Sequence, residues 1–436
     1  MKESRLEAIR HLKVILIYLP HPYLKQPDAQ APIGILYLAA LLEEAGIDIE
    51  VRNYSALHTW EALEDLPPAD FYGISVTSLE LKQANRFAFL IKEKYDDCAV
   101  VLGGPGTYCE EFVDWNAIDS ICKGDGEEAI FTMLEDHVKN NLQSIYHFPP
   151  FGNIDSLPFP ARHLLGEKQG GNIFAYNTHY KPGGSTVLVS SRGCPFHCAF
   201  CSSPYFTNNK VRFRDPQKVV EEVKHVIADF GIRQFRISDD MFMANLQRVM
   251  ELCDLLEPLD IVWRISTRVK PLDEQVYRRM FEAGCREVSF GVESFDNNVL
   301  RVLKKENTAE DNARALELAA KIGMKTRVLF MIRTPGQTSN TVSENIKWLE
   351  RVPYDIICCT SFVPIPGSDI WNNPDSYDIE ILNRNLEDYN FYFFGSRGEN
   401  KIEDIIKIKD RSLEELNDES VAFRNYLLET GKLNTG

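Results

Sequence analysis

The sequence predicts an α/β protein in which a doubly wound, Rossmann-like domain precedes an incomplete (β/α)6 barrel. Apolar, strand-like runs alternate with helix-like runs along most of the 436 residues, and one proline- and glycine-rich stretch interrupts the alternation. Glycines follow several of the predicted helices, where they are typical C-caps. Continuous apolar strands separated by helices indicate parallel sheets covered on both faces, and the length allows two or three domains.

Residues 1–142 form the first predicted domain. Its first strand is Lys13–Leu19, and helical spacing over Ile33–Ala45 ends at Gly46. Further strands are predicted at 47–51, 71–76, 98–102 and 118–122, and further helices at 79–94 and 127–139. Residues 143–183 hold several prolines and glycines and have little periodicity, which predicts a linker.

Residues 184–375 form the second predicted domain, a partial TIM-like barrel. Six strands are predicted at 186–190, 234–238, 261–266, 287–292, 326–332 and 356–363. Amphipathic helices are predicted at 216–230, 242–257, 273–283, 308–322 and 338–351. Gly231, Gly284 and Gly323 fall just past three of these helices, as C-caps should. Residues 376–436 are predicted to form a short helical and irregular C-terminal cap.

Charge and hydropathy disfavour several classes of function. The formal net charge is -16, and such an acidic average field disfavours nucleic acid as the main partner. No run approaches the roughly 18 apolar residues of a membrane span. The charged start, Met1 to His11, is not typical of a secretory signal, so we expect a cytoplasmic location. In a reducing compartment, clustered cysteines indicate metal binding rather than disulfides.

Cys194, Cys198 and Cys201 form such a cluster directly after the first strand of the second domain. Three thiolates on one tight loop can hold three corners of a 4Fe-4S cluster and leave the fourth iron open to a ligand. The alternatives are a zinc site that uses His197, or three unrelated buried thiols. Structural zinc sites usually combine spaced pairs, and no second pair exists here, because Cys358 and its neighbour are adjacent in a strand. The spacing therefore predicts an iron–sulfur cluster.

With this motif, residues 184–370 resemble the radical S-adenosylmethionine (SAM) superfamily. The resemblance implies that the open iron binds the amino and carboxylate groups of SAM. It also implies that an electron from the cluster cleaves SAM to methionine and a 5′-deoxyadenosyl radical. The cluster cysteines are then catalytic as well as metal ligands.

Ligands of such barrels bind at the carboxyl ends of the strands. There the resemblance implies that Phe200 contacts the adenine and that Glu293 and Ser294 bind the ribose. It places Asp239 and Asp240 around the SAM amino group. The alternative for each carboxylate is a surface group or a helix cap, and Asp240 in particular precedes a predicted helix.

Two arginines at this rim are further candidates. Arg268 is expected to pair with the SAM carboxylate or with a substrate anion. Arg333 stands where the family often has glycine. It is expected to reshape the adenine or substrate pocket, to bind an anionic substrate, or to point into solvent.

A Rossmann-like domain before such a barrel resembles the cobalamin-binding subclass. The matching stretches are Pro32–Ala39, Gly73–Ser78, Val101–Thr107 and Gly124–Glu128. The resemblance implies a cobalamin site where glycines allow close backbone approach and hydroxyls bond the nucleotide tail. The candidate residues are Ser75, Thr77, Ser78, Gly103, Gly104, Pro105, Thr107, Gly124 and Glu127. The alternative is a degenerate domain that binds nothing.

The chain also lacks the Asp-x-His-x-x-Gly pattern that supplies a histidine to cobalt in other cobalamin proteins. His163 has the glycine but not the aspartate. We therefore expect any bound cobalamin to lack a histidine ligand.

The resemblance implies cobalamin-dependent methylation of an unactivated carbon in a small molecule. The alternatives are a radical rearrangement, cyclisation or ring contraction, or a non-catalytic cluster- or corrinoid-binding protein. The expected partners are a small-molecule substrate and an electron donor such as flavodoxin or ferredoxin. The aromatic run at Tyr389 and 391–394 either lines a substrate pocket or packs in a core.

Overall fold

The computed structural model describes residues 3–20, 30–165, 184–391 and 404–434. The chain divides into two compact units, Met1–Gly171 and Asn172–Gly436. Of the helices in the described ranges, none is long and apolar enough to cross a membrane.

Unit 1 is built on a six-stranded parallel sheet with the order β2-β1-β3-β4-β5-β6. The strands are β1 (Lys13–Tyr18), β2 (Asp48–Asn53), β3 (Phe71–Ser75), β4 (Ala99–Gly103), β5 (Ser120–Lys123) and β6 (Ile145–His147). The helices are α1 (Glu3–Glu7), α2 (Ile33–Glu44), α3 (Thr59–Asp65), α4 (Leu81–Lys94) and α5 (Gly126–Val138). The order reverses between β1 and β3, which is the switch point where doubly wound sheets bind ligands. The predicted fold class of this domain is confirmed.

Two short elements of unit 1 carry no clear signal in the sequence. β6 lies inside the segment predicted as a linker and pairs parallel with β5. Its three residues bury only the central Tyr146. α3 was not predicted, and Ala62 is the one residue of its seven that is buried. Elements this short do not complete a period from which a pattern can be recognised.

Unit 2 is built on a second six-stranded parallel sheet with the order β14-β13-β12-β11-β10-β7. Its strands are β7 (Thr186–Leu188), β10 (Gln234–Ile237), β11 (Val262–Arg268), β12 (Cys285–Glu293), β13 (Lys325–Ile332) and β14 (Ile356–Ser361), and beside them β8 (Ser191–Arg192) pairs antiparallel with β9 (Arg212–Phe213). The helices are α6 (Ser203–Thr207), α7 (Pro216–Phe230), α8 (Leu246–Leu256), α9 (Glu274–Glu282), α10 (Asn297–Val302), α11 (Ala309–Ile322), α12 (Thr341–Leu349), α13 (Asp369–Asn372) and α14 (Leu413–Glu429). The predicted partial (β/α)6 barrel is thus confirmed, with strand ends shifted by a few residues.

The barrel strands bury their outward faces and leave their inward faces partly open. Phe235, Trp263, Phe290 and Phe330 point outward and are almost fully buried in the core beneath the helices. Along β13 and β14, buried residues alternate with partly exposed ones. Complete TIM barrels fill this interior with bulky apolar side chains. Here the lumen, the space enclosed by the inward faces, is accessible to solvent.

The C-terminal part is more regular than predicted. β15 (Ile379–Ile381) pairs antiparallel with β16 (Ile406–Ile408). α14 begins at a capping box between Ser412 and Glu415, a signal present in the sequence. The aromatic residues at 392–394 lie outside the described residues.

Substitution of Trp263 tests how much the core beneath the helices contributes to the stability of the barrel. Trp263 is fully buried, lies 5.7 Å from the ring of Phe242, and donates from Nε1 to the Ala283 carbonyl at 2.8 Å. We expect Trp263→Phe to cost about 2–4 kcal/mol, because it leaves a buried carbonyl unpaired and opens a cavity. The fall in Tm is measured by thermal unfolding. Trp60→Phe is the control, since Trp60 is 60% exposed and its replacement should leave Tm nearly unchanged. Equal effects of the two changes would contradict this account of the core.

Candidate active site

The three cysteines lie on the loop that leaves the first barrel strand. The loop enters through Gly193, whose φ of 101° lies in the left-handed region. A Cβ at this position would lie 2.0 Å from the carbonyl oxygen of Lys210, so the turn requires glycine. The Gly193 N–H donates to Asp240 Oδ2 at 2.7 Å. Asp240 therefore holds the loop entrance and does not cap the helix that follows it.

Ala199 anchors the middle of the loop. It is fully buried, its N–H donates to the Leu303 carbonyl at 3.0 Å, and its carbonyl accepts from the Ile370 N–H at 3.0 Å. The three cysteine side chains themselves are partly exposed. The barrel thus fixes the backbone of the loop while its thiols stay accessible.

The thiols influence one another electrostatically. Burial raises the pKa of the Cys194 thiol and raises that of Cys201 to about 12, and in both cases Cys198 adds to the rise. The backbone N–H groups of Phe196 and Ser203 bond to the sulfurs of Cys194 and Cys201 and lower these pKa values. Iron displaces the thiol protons when it binds, and N–H···S bonds of this kind tune the potential of a cluster.

Arg268 brings a positive charge to the same loop. Its Nη1 lies 2.6 Å from Cys198 Sγ, and its guanidinium lies 3.9 Å over the ring of Phe196. A cation here offsets the negative charge that three thiolates bring together. Within the described ranges, no three His, Cys, Asp or Glu side chains converge as a single metal ion requires. A cubane cluster takes each thiolate at a separate iron, so the half-exposed cysteine loop with its cation fits this larger group.

Asp239 holds the strand end from which the loop departs. Its Oδ1 accepts from the Ser190 N–H at 2.7 Å, and its Oδ2 accepts from the hydroxyls of Ser190 and Ser191 at 2.6 Å. Burial raises the pKa of this carboxyl, and the hydrogen bonds act in the opposite direction. Both oxygens are engaged within the barrel.

Glu293 ends β12 in a strained conformation. Its φ is 63°, and the pairing with β13 slips between Gly291 and Glu293. Bulges of this kind redirect side chains beside active sites. Glu293 Oε1 accepts from Lys305 Nζ at 3.1 Å, and Lys305 Nζ lies 5.8 Å from the ring centre of Phe200. A Cβ at Gly291 would lie 2.8 Å from Glu293 Oε1, so glycine leaves room for this ion pair.

Ser294 and Arg333 make contacts within the barrel unit. Ser294 is 1% exposed, and its hydroxyl donates to Asn345 Oδ1 at 3.2 Å. Arg333 is also 1% exposed and has a φ of 58°. Its guanidinium donates to Asp404 Oδ1 at 2.7 Å and to Asn417 Oδ1 at 3.1 Å. Arg333 therefore ties the end of β13 to the C-terminal segment, and the solvent-directed alternative is wrong.

In unit 1 the candidate cobalamin residues lie at or beyond the carboxyl ends of β3, β4 and β5. Ser75 ends β3, and Gly103 ends β4. Nothing lies within 4 Å of a Cβ built at Gly103, so the backbone there borders open space. Thr77 is exposed, Ser78 and Gly104 are partly exposed, and Pro105 is exposed. This edge can accept a large ligand against the backbone.

Three other candidate residues on this edge are buried or are required by the backbone geometry of the domain. Thr107 is fully buried, and its hydroxyl lies 2.8 Å from the carbonyl oxygens of both Gly104 and Cys122. A Cβ at Gly124 would lie 1.9 Å from the carbonyl oxygen of Phe148, which follows β6. Glu127 is buried in the first turn of α5. Thr107 and Gly124 therefore shape the edge, and the Thr107 hydroxyl is engaged by backbone carbonyls.

Sequence reasoning missed Lys305 and Gly291. Lys305 is 3% exposed, and nothing in its sequence context indicates that it meets Glu293. The only available signal for Gly291 was a glycine near the end of a predicted strand, which often marks a bulge.

Comparison with known proteins gives two family matches. Residues 188–349 match the radical SAM superfamily, and residues 28–132 match the B12 binding domain. An uncharacterized methyltransferase of Pyrococcus horikoshii is 28% identical over 78% of this chain and 77% of its own length. The anaerobic magnesium-protoporphyrin IX monomethyl ester cyclase of Rubrivivax gelatinosus is 28% identical over 83% of this chain and 68% of its own.

A solved structure shares the fold. It is the radical SAM methyltransferase TsrM from Kitasatospora setae with cobalamin and a [4Fe-4S] cluster bound. The TM-score is 0.65 at 17% identity, covering 86% of this chain and 81% of that one.

A partial parallel barrel whose first strand leads into a three-cysteine loop defines an iron–sulfur enzyme. Residues 188–349 form a radical SAM domain, and a B12-binding domain precedes it in the chain. Its cofactors are accordingly a 4Fe-4S cluster, SAM and cobalamin.

The turn at Gly193 gives a sharp test of the loop. Gly193→Ala places a methyl group against the Lys210 carbonyl, so we expect the loop to open and the iron retained after desalting to fall to less than half of wild type. Gly184→Ala is the matched control, because Gly184 also has a positive φ of 79° but has nothing within 4 Å of a built Cβ. Iron content is measured after anaerobic reconstitution. Full iron retention by the Gly193 variant would contradict the geometry.

Proposed function

We propose that this enzyme methylates an unactivated carbon of a small molecule. The observation that carries the proposal is the cysteine loop with Arg268 and the Glu293–Lys305 pair on the same barrel rim, in a chain with a B12-binding domain. Similarity to methyltransferases over most of this chain supports it.

The proposed iron ligands are Cys194, Cys198 and Cys201. When bound, the cofactors supply an electron that cleaves SAM to a carbon radical and, through cobalamin, a transferable methyl group. The chain's own contribution is to fix the loop at Gly193 and Ala199, to donate backbone N–H groups to sulfur, and to place the Arg268 cation beside Cys198.

Glu293, Phe200, Asp240 and Arg268 are the proposed SAM-binding residues. The carboxylate of Glu293 accepts hydrogen bonds from the ribose hydroxyls, and Lys305 compensates its charge where solvent is excluded. Phe200 contacts the adenine, Asp240 faces the amino group, and Arg268 pairs with the carboxylate.

Asp239 and Ser294 were expected to touch SAM directly, but their polar atoms are engaged in the barrel. We propose that both act as positioning residues. Asp239 holds the strand end that carries the cysteine loop. Ser294 fixes the backbone that follows Glu293.

The proposed cobalamin contacts are the backbone at Gly103, Gly104 and Pro105 and the hydroxyls of Ser75, Thr77 and Ser78. Thr107, Gly124 and Glu127 are proposed to shape this edge from beneath. We propose that the cobalt has no histidine ligand from this chain, because the chain lacks the Asp-x-His-x-x-Gly pattern.

The runner-up is a cobalamin-dependent cyclisation, rearrangement or ring contraction without methyl transfer. The similarity to a cyclase of Rubrivivax gelatinosus supports this alternative reaction. A non-catalytic role in cluster or corrinoid binding is the third candidate. The bulge and the Lys305 ion pair that position Glu293 are evidence against it. The two catalytic candidates differ in whether the SAM methyl group reaches the product.

A radical SAM enzyme also needs a one-electron reductant, and we propose a small electron carrier such as flavodoxin or ferredoxin. No disulfide joins any of the ten cysteines, all of which lie within the described residues. This supports the expected cytoplasmic location, where thiols stay reduced.

Cofactor content and label transfer test the function. We expect the anaerobically reconstituted protein to hold about four irons per chain and to retain corrinoid. With SAM carrying an isotopically labelled methyl group and a small-molecule extract, we expect labelled product together with S-adenosylhomocysteine and 5′-deoxyadenosine, detected by mass spectrometry. Cys198→Ala should lose iron, whereas the control Cys358→Ala should not. 5′-Deoxyadenosine without label transfer would favour the runner-up, and no SAM cleavage would favour the non-catalytic role.

Glu293 tests the SAM site. We expect Glu293→Gln to weaken SAM binding by about 10- to 100-fold, because a charge-assisted hydrogen bond contributes about 1.5–3 kcal/mol. Equilibrium dialysis of SAM against the reconstituted enzyme measures the change. Iron content should not change, and Glu310→Gln, at an exposed position of α11, is the control. Unchanged SAM affinity in Glu293→Gln would remove Glu293 from the site.

A further inference from the structure

Three arginines face the barrel lumen below the cysteine loop. Arg236 lies on β10, Arg264 on β11 and Arg327 on β13, each the third residue of its strand. Arg236 and Arg264 are direct partners in the sheet. The neighbouring Trp263 and Val328 point the other way and are fully buried in the core beneath the helices. Strand alternation therefore turns all three guanidinium groups inward.

The three groups act on one another across the lumen. Burial lowers the pKa of Arg236 to about 10 and that of Arg264 to about 9, and repulsion from Arg327 adds to both shifts. Two strands separate β13 from β10 in the sheet. Side chains on strands so far apart meet only by converging on the concave side of the curved sheet.

Among the residues that the structure describes, little negative charge faces these three arginines. Glu287, the sheet partner of Arg264, acts on it in the stabilising direction, but Glu287 is also the sheet partner of Lys325, so two cations share its charge. The Nε–H groups of Arg264 and Arg327 are buried without an acceptor. Arg264 is only 6% exposed. Unpaired buried donors and neighbouring like charges both lower the free energy of unfolding. Such unfavourable groups are typical of a binding site whose ligand is absent.

We propose that Arg236, Arg264 and Arg327 bind a carboxylate or phosphate group of the substrate. Guanidinium groups bind both oxyanions with paired hydrogen bonds. The partly exposed inward faces of β13 and β14 leave the lumen open to such a group. This inference rests on the proposed function and names its substrate class.

The position of the site also sets a length for the substrate. Arg264 precedes Arg268 by four residues on β11, which is about 13 Å along a strand. Arg268 touches Cys198, so it marks the level of the cluster. The substrate is therefore an elongated acid whose reacting carbon lies about 13 Å from its anionic end.

Thermal unfolding of the full, reconstituted chain tests the site with two probes, inorganic phosphate and succinate. We expect at least one probe to raise Tm saturably by about 3 °C or more, beyond sodium chloride of equal ionic strength. Which probe is stronger tells a phosphate from a carboxylate ligand. Arg264→Met and Arg327→Gln should abolish the shift. The control Lys321→Gln, at an exposed position of α11 and paired with Glu274, should keep it.

A second readout separates binding from a structural role. Without any anion, Arg264→Met should have a Tm equal to or above that of the wild type, because it removes repulsion. A structural arginine would instead lower Tm on removal. The proposal is overturned if neither probe shifts the wild type, or if Arg264→Met keeps the shift. Neither readout needs turnover, so loss of the anion site and loss of methyl transfer are distinguished.

Discussion

Burial of the outward strand faces beneath the helices is the constraint on which the catalytic unit depends. Residues such as Phe235 and Phe290 supply that burial, and each contributes about 1.5–3 kcal/mol when it leaves water. Because the stabilising apolar contacts lie between the outward face of the sheet and the helices, the inward face does not need to be filled with apolar side chains. The lumen can therefore carry arginines, serines and carboxylates that a filled barrel would exclude.

The strand end that carries the cysteine loop is fixed by several independent bonds. The Ser190 carbonyl accepts from Arg248 Nη2 at 2.9 Å, while its N–H and hydroxyl donate to Asp239. The Arg214 N–H also donates to the Ser190 carbonyl, at 3.0 Å. A cluster is positioned accurately when its ligands depart from a rigid element. The polar network behind β7 provides that rigidity.

The parts of this molecule that the sequence reveals are those with a local signal. The six barrel strands could be predicted because their apolar faces recur at strand spacing, and the cysteine loop because its ligands lie within eight residues. The pairing of Lys305 with Glu293 could not be predicted, because it depends on a bulge and on the course of the chain after α10. The Arg333–Asp404 contact joins residues 71 positions apart, and no local pattern links them. Thr107 is a different case. Its position near the ligand-binding edge predicted a cobalamin contact, but its hydroxyl is hydrogen-bonded to the backbone of the domain.

The segment after α14 has a consequence for the behaviour of the barrel in solution. Leu433 pairs parallel with Ile357 of β14, the Ile357 N–H donates to the Lys432 carbonyl, and the Asn434 N–H donates to the Ile357 carbonyl. An open barrel has two free edges, and each unpaired edge can recruit a strand from another molecule. By laying its own backbone along β14, the chain occupies the hydrogen-bonding groups of one edge at this point. At this point β14 cannot pair with a strand of another molecule, although the barrel itself stays open.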